Sequence, residues 1–225
     1  MTTIVNYGTI RLTVVVNHDL KGKNSKMGEI TRLMDHTGSE KINRIINTAF
    51  KEFSLNGYVK ASTNEIVKSA EISKGLLFHY FGSKQNLYDE LIDFAFEYTM
   101  ITIQENMNFR ERDFFQRLKR ILQIRIAVSK DYPYIFDFLS VVSKENSKDD
   151  RTGSFLKENM DFIEKIYSFN IDLSLFRTDI EIDQAINIVR WTFEKILEGE
   201  QSDQEKREEG EKYIRTLRSL LYNEE

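Results

Sequence analysis

Apolar residues recur at helical spacing from Ser39 onward. Ile42, Ile45, Ile46, Ala49, Phe50 and Phe53 fall at i, i+3, i+4, i+7, i+8 and i+11, one face of a period-3.6 helix. Ser39 suits its N-cap, and Gly57 after Asn56 suits its stop. Ser62-Thr63-Asn64-Glu65 fits a capping box, in which hydroxyl and carboxylate satisfy orphan N–H groups reciprocally. It opens a short helix with Ile66, Val67 and Ala70 facing inward. Glu71-Ile72-Ser73 interrupts that pattern, and Ser73 can cap a second short helix reaching about Tyr80. Gly82-Ser83 ends this one and caps a long helix, 84–106, with Leu87, Leu91, Phe94, Ala95 and Tyr98 on one face. Further helices are predicted over 110–130, 133–146, 153–170, 181–199 and 204–222. Pro133 suits a first turn, where no N–H is missed. Asn146 to Asp150 and Gly199 to Asp203 read as polar loops. The fold class is all-α, with about nine helices.

Residues 1–39 read differently. Thr9 to Val16 is a β-branched run that suits one strand, but no partner strand is evident, and an isolated strand leaves its backbone unsatisfied. Residues 17–39 are polar, with Gly22, Gly28 and Gly38. The expectation is a disordered or loosely docked extension. Part of it reads as a start-site artefact. Gly28-Glu29 can be encoded by a purine-rich stretch that resembles a ribosome-binding site, which puts the native start at Met34 or Met27. A tryptic peptide from residues 12–21 of the untagged natural protein would refute that.

The chain has 225 residues, 40% of them apolar, enough for one large domain or two small ones. No apolar run approaches the roughly 20 residues of a spanning helix, and no secretory leader is visible near Met1, so a cytoplasmic protein without a membrane partner is expected. Cys is absent, which excludes disulfides, cysteine nucleophiles and thiolate metal sites. His18, His36 and His79 are too scattered for a metal cluster. With no paired His and carboxylates at metal spacing, no nucleophile motif and no Gly-rich phosphate loop, neither an enzyme nor a cofactor is expected. Net charge is uneven: +2 over residues 1–39, +3 over 40–84 and −9 over 85–225. A basic segment ahead of an acidic body suits nucleic-acid contact by the former.

Helices 63–70 and 74–80 with the short turn between them have the proportions of a helix-turn-helix. The first would lie across the DNA backbone. The second would enter the major groove, braced by helix 40–56. Ile66, Val67, Ala70, Ile72, Leu77 and Phe81 would form the small core between them. The wording is more specific than the pattern. STNEIVKSAEISKGLLFHYFGSKQNLYDEL resembles the DNA-binding signature of the TetR family of transcriptional regulators, with the likeness concentrated in residues 42–95. Its densest part is Ser73-Lys74-Gly75, Leu77-Phe78-His79-Tyr80-Phe81, Ser83-Lys84 and Leu87.

The resemblance implies a three-helix DNA-binding unit over 40–84 and a helical domain over 85–225 that binds a small molecule and forms a homodimer. Residue by residue, it implies that Thr63 bonds a phosphate through hydroxyl and N–H. Lys74 would meet the backbone or a guanine edge. Gly75 would allow close approach, and Leu76 would face base edges. His79 would contact base or phosphate, Tyr80 would lie beside the backbone, and Lys84 would pair a phosphate. Ser73 and Phe78 belong to the same surface. Three positions depart from the family's pattern. Glu71 stands where glycine is common, which costs ~1–2 kcal/mol if that residue is left-handed. Phe78 replaces a tyrosine and loses a phosphate hydrogen bond. Leu76 offers only apolar contact, as with a thymine methyl. Tyr80 and Phe78 also suit plain core positions, and Lys74, His79 and Lys84 suit a solvated surface.

The body is rich in aromatics, most of them suited to the core. Candidate pocket residues are Tyr98, Phe115, Leu118, Leu122, Phe136, Leu139, Phe162 and Trp191. Two apolar stripes suit an isologous four-helix interface between subunits: Ile182, Ile186, Val189 and Phe193, then Tyr213, Leu217 and Leu220. Packing within one monomer is the alternative. The implied function is a homodimeric, sequence-specific repressor of transcription, released from double-stranded operator DNA by a small hydrophobic ligand. Two recognition helices would reach successive major grooves ~34–36 Å apart, and a ligand favouring another spacing would shift the population off DNA. The alternatives are an architectural or cell-cycle DNA-binding factor without an inducer, and a helical small-molecule or lipid carrier.

Overall fold

The computed structural model describes residues 2–7, 10–15, 39–145, 165–198 and 201–223. Strands β1 (Thr2–Tyr7) and β2 (Ile10–Val15) pair antiparallel, Val5 opposite Leu12. The strand expected from Thr9 is therefore present, but it has the partner that the sequence reading missed. In sequence, Gly8-Thr9 has the length and the leading glycine of a hairpin connection, a signal overlooked beside the longer β-branched run. Met27, Met34 and the polar stretch 17–38 lie outside the described residues.

The remainder is all-α, as expected. The helices are α1 (Ser39–Lys60), α2 (Thr63–Ser69), α3 (Lys74–Phe81), α4 (Lys84–Asn106), α5 (Phe114–Asp131), α6 (Ile135–Glu145), α7 (Ile182–Glu198) and α8 (Asp203–Leu221). Residues 165–168 are also helical, the described end of the segment predicted over 153–170, which brings the helices among the described residues to nine. A 3-10 turn over Leu173–Leu175 was not foreseen. Pro133 lies in a turn just ahead of α6 rather than inside its first turn. The loop at 146–150 lies outside the described residues.

Two compact units form: Met1–Met100 with Asp131–Asn159, and Ile101–Lys130 with Met160–Glu225. In the first, the inward face of α1 (Ile42, Ile45, Ile46, Ala49, Phe50, Phe53) is buried completely. Its aromatic centre joins α1 to α6 and α4. The Phe50 and Phe138 rings lie 5.1 Å apart, Phe53 and Tyr88 4.9 Å, and Tyr88 and Phe138 5.4 Å. The last two pairs are edge-to-face, a packing that adds to area burial, and the first is tilted. Polar ties fix the turn between α5 and α6. Tyr132 donates its hydroxyl to Asn43 at 3.0 Å, and Tyr98 donates to Asp131 at 2.5 Å.

The second unit is built around α5, whose first turn is capped by Asp113 accepting from Phe115 and Gln116 N–H. Phe114, Phe115, Phe176 and Tyr222 form its aromatic cluster. Arg117 is 1% exposed and donates to the carbonyls of Phe169 and Glu111. Those acceptors lessen the cost of burying its charge. Gly210 on α8 faces Leu122 of α5, so that a Cβ there would collide with the leucine side chain.

Candidate nucleic-acid interface

The helix-turn-helix is approached through a break in α1. Gly57 has φ 66° and ψ 173°, a conformation costly for other residues, and it ends the regular part of α1 where the sequence placed the stop. Residues 58–62 then lead to α2. Ser62 is the N-cap by position, but its side chain accepts no backbone hydrogen bond, so the capping box with Glu65 is not formed. The reason is competition. Glu52, ten residues earlier on α1, accepts the Ser62 N–H at 2.8 Å, the donor that Glu65 would have reached. The same Ser-x-x-Glu pattern does close at Ser202 and Glu205, at the start of α8.

From α2 the chain turns sharply into α3. Glu71 has φ 55°, so the left-handed residue at the turn is glutamate rather than glycine. Its N–H reaches Lys68 O, and Ile72 N–H reaches Val67 O. Ser73 caps α3 by accepting Leu76 N–H at 3.1 Å, and Gly82, φ 73°, ends it. Ser83 caps α4 through Asn86 N–H at 3.0 Å. Ile66, Ala70, Leu77 and Phe81 are buried, with Val67 and Ile72 half-buried beside them. That packing fixes which face of α3 points outward.

The outward face gathers the expected residues. Ser73, Lys74, Gly75 and His79 are exposed, and Leu76, Phe78 and Tyr80 are half-buried at its border. Phe78 is thus neither a fully buried ring nor a fully exposed one. Lys74 Nζ lies 5.9 Å from its centroid. Thr63 begins α2 and Lys84 begins α4, both half-buried. The Lys84 ammonium is held ready: it donates to Val59 O at 3.3 Å and lies 4.8 Å from the centre of the Tyr58 ring. Arg44 meets Glu71 at 3.6 Å, an exposed pair of small energetic weight. A capped short helix with a cation, a glycine and an imidazole outward has the form that can enter a groove, with a hydroxyl and an ammonium at two neighbouring helix starts.

Residues 45–91 match the family model described as "Bacterial regulatory proteins, tetR family". The likeness to the TetR family is thus carried by the segment that holds the helix-turn-helix. It is 28% identical over 149 residues to the HTH-type transcriptional regulator YdgC of Bacillus subtilis (strain 168), covering 63% of this chain and 75% of that one. Over 65 residues it is 34% identical to the biofilm operon icaADBC HTH-type negative transcriptional regulator IcaR of Staphylococcus aureus (strain Newman), covering 29% of this chain and 35% of the relative. The fold is shared with the ketosteroid transcriptional regulator KstR2 of Mycobacterium tuberculosis, at a TM-score of 0.61 and 17% identity over 90% of this chain and 97% of that one. The family and these relatives are transcriptional regulators rather than enzymes, in agreement with the sequence reading.

Outside the TetR-family region, the candidate pocket residues divide between the two units. Phe115, Leu118 and Leu122 are buried in the second, while Leu139 is buried and Tyr98 and Phe136 half-buried in the first. Phe162 lies outside the described residues. Trp191 is 65% exposed, its indole turned outward. The interface residues also divide. Ile186, Val189 and Phe193 are buried inside the monomer and Ile182 is half-buried, because the strongest apolar stripe of an amphipathic helix packs on its own core first. The outward apolar residues of α7 are instead Ile188 and Trp191. On α8, Tyr213 and Leu220 are exposed, with Leu217 half-buried between them. Among the described residues, no helix is long and apolar enough to cross a membrane.

Sequence reasoning missed Glu52, Tyr58 and Glu145 as parts of this site. Tyr58 N–H donates to Glu145, 87 positions away, and no local signal marks such a pair.

Proposed function

We propose that this chain is a cytoplasmic, homodimeric repressor that binds operator DNA through α3 and is released by a small apolar ligand. The observation that carries the DNA-binding part is the outward face of α3, with Ser73, Lys74, Gly75 and His79 exposed over a buried base of Leu77 and Phe81. Lys74 and His79 are the groups for base edges or phosphates. Leu76 supplies apolar contact, and Tyr80 and Phe78 flank the backbone. Thr63 and Lys84 bind phosphates at either side. Repression is suggested by IcaR, a protein described as a negative transcriptional regulator, which this chain resembles over 65 residues. The exposed residues of α7 and α8 (Ile188, Trp191, Tyr213 and Leu220) support a subunit interface. The ligand would act through apolar side chains of the helices beyond Lys84, by favouring a conformation that binds DNA less well.

The test is fluorescence anisotropy with DNA from upstream of the chain's own gene, over a salt series with competitor DNA. Tight, competitor-resistant binding saturating at an even number of chains per site supports the proposal. Binding that ignores sequence and vanishes at moderate salt refutes operator recognition at that site.

A further inference from the structure

Residues 58–62, which lead into the recognition unit, are held by two carboxylates outside the helix-turn-helix. Glu52 of α1 accepts Ser62 N–H. Glu145, the last residue of α6, accepts Tyr58 N–H on its two oxygens at 3.1 and 3.2 Å, and its Oε2 accepts the Tyr88 hydroxyl at 2.9 Å. Gly57 makes room for this, since a Cβ there would collide with Glu145 Oε1. Tyr58 in turn carries Lys84, whose ammonium rests over its ring and on the carbonyl of Val59, the next residue. A continuous line of contacts therefore runs from Glu145 through Tyr58 to Lys84.

We infer that Glu145 is a positioning residue for DNA binding. Acting through Tyr58, it holds the Lys84 ammonium where a phosphate meets it. Hydrogen bonds to an ionised acceptor are stronger than neutral ones. Glu145 lies well beyond the family-matched region 45–91, on a helix that follows α5 in the chain. A displacement of α6 is thus felt at a phosphate contact. The inference rests on the operator-binding reading.

The test uses the full chain and a duplex selected by the wild-type protein from a random-sequence library. Anisotropy over a salt series compares wild type with Glu145→Ala, Glu145→Gln, Lys84→Ala and the Lys84→Ala/Glu145→Ala pair, with melting temperatures measured alongside. Glu145→Ala is expected to bind about tenfold more weakly, through lost hydrogen bonds to a charged acceptor. Its salt slope should fall by about one phosphate contact. Glu145→Gln keeps an acceptor oxygen for Tyr58 N–H and should recover most of both. The pair should lose little more than Lys84→Ala alone, because both changes disable one contact. A pure charge effect gives the opposite sign, since removing an anion near DNA tightens binding in both Glu145 variants. Tighter or unchanged binding by Glu145→Ala overturns the inference. So does an additive pair, or a loss that follows a lower melting temperature with the slope unchanged. A wild-type chain that selects no duplex overturns the operator reading as well.

Discussion

Glu52 accepts the backbone N–H of Ser62 at 2.8 Å, bridging the end of α1 to the start of α2. It does what the sequence assigned to Glu65. Glu52→Ala should therefore lower stability by about 1 kcal/mol, the usual worth of a lost helix-terminal hydrogen bond. Glu65→Ala, at an exposed position, should stay within about 0.5 kcal/mol of wild type. Urea unfolding of both variants checks this, and a larger loss for Glu65→Ala would restore the capping box.

Glu71 occupies the left-handed conformation at φ 55° with its side chain exposed. Glycine adopts this without the steric cost of a Cβ, at some extra entropy in the unfolded chain. Glu71→Gly should stabilise the protein by about 1 kcal/mol. The exposed contact to Arg44 that it removes is too weak to reverse the sign. Thermal unfolding measures it, and destabilisation would mean that the Arg44 contact outweighs the strain.

These two residues also show what the sequence can carry. Glu71 stood out only through the resemblance, which puts glycine at that turn and so raised a left-handed residue as a condition that φ 55° meets. The caps at Ser73 and Ser83 were legible because they are local, each serine bonding an N–H three residues on. Glu52 was not, because a capping box written in four adjacent residues says nothing about a carboxylate arriving from the preceding helix. Glu145 is further from view, 87 positions away from Tyr58. The α7 stripe shows another limit. Periodicity reveals that Val189 and Phe193 are buried, but not against what; Ile188 was not singled out, and Trp191, named for a pocket, is exposed instead.

Asp93 on α4 sits between Asp89 and Glu97 at spacings of four, and burial pushes its carboxyl from the ordinary 3.8 up to about 7, with both neighbouring carboxylates adding to the rise. The folded chain therefore keeps a proton that the unfolded chain releases between these values. Stability is highest below pH 3.8 as far as this group is concerned, and falls as pH rises toward about 7. Asp93→Asn should remove that slope and be more stable than wild type at pH 8 by of order 1–3 kcal/mol. Denaturant midpoints at pH 5 and pH 8 test it; parallel shifts in both proteins would sink it.

Lys84 and Leu76 should fail in different ways. Lys84→Ala is expected to weaken binding about equally across DNA sequences and to lower the salt slope by roughly one contact. Leu76→Ala should leave the slope alone and relax preference at one base position per half-site. Binding to a panel of single-base operator variants separates the two. If neither change has an effect, DNA meets another surface.

Trp191 and Phe193 lie two residues apart on α7 with opposite surroundings, the first 65% exposed and the second 3%. If subunits meet on the outward faces of α7 and α8, an indole of that size is the natural anchor, since interface hot spots favour tryptophan in a desolvated centre. Trp191→Glu then places a charge where the partner's apolar surface must come. It should shift the sedimentation mass toward a monomer and weaken operator binding, because one recognition helix loses its covalently independent twin. Phe193→Ala should act otherwise, removing about 3–5 kcal/mol of core stability. Its folded fraction should keep the wild-type mass. A Trp191→Glu protein that sediments as wild type would move the interface off this face, and the buried stripe would then be core and nothing more.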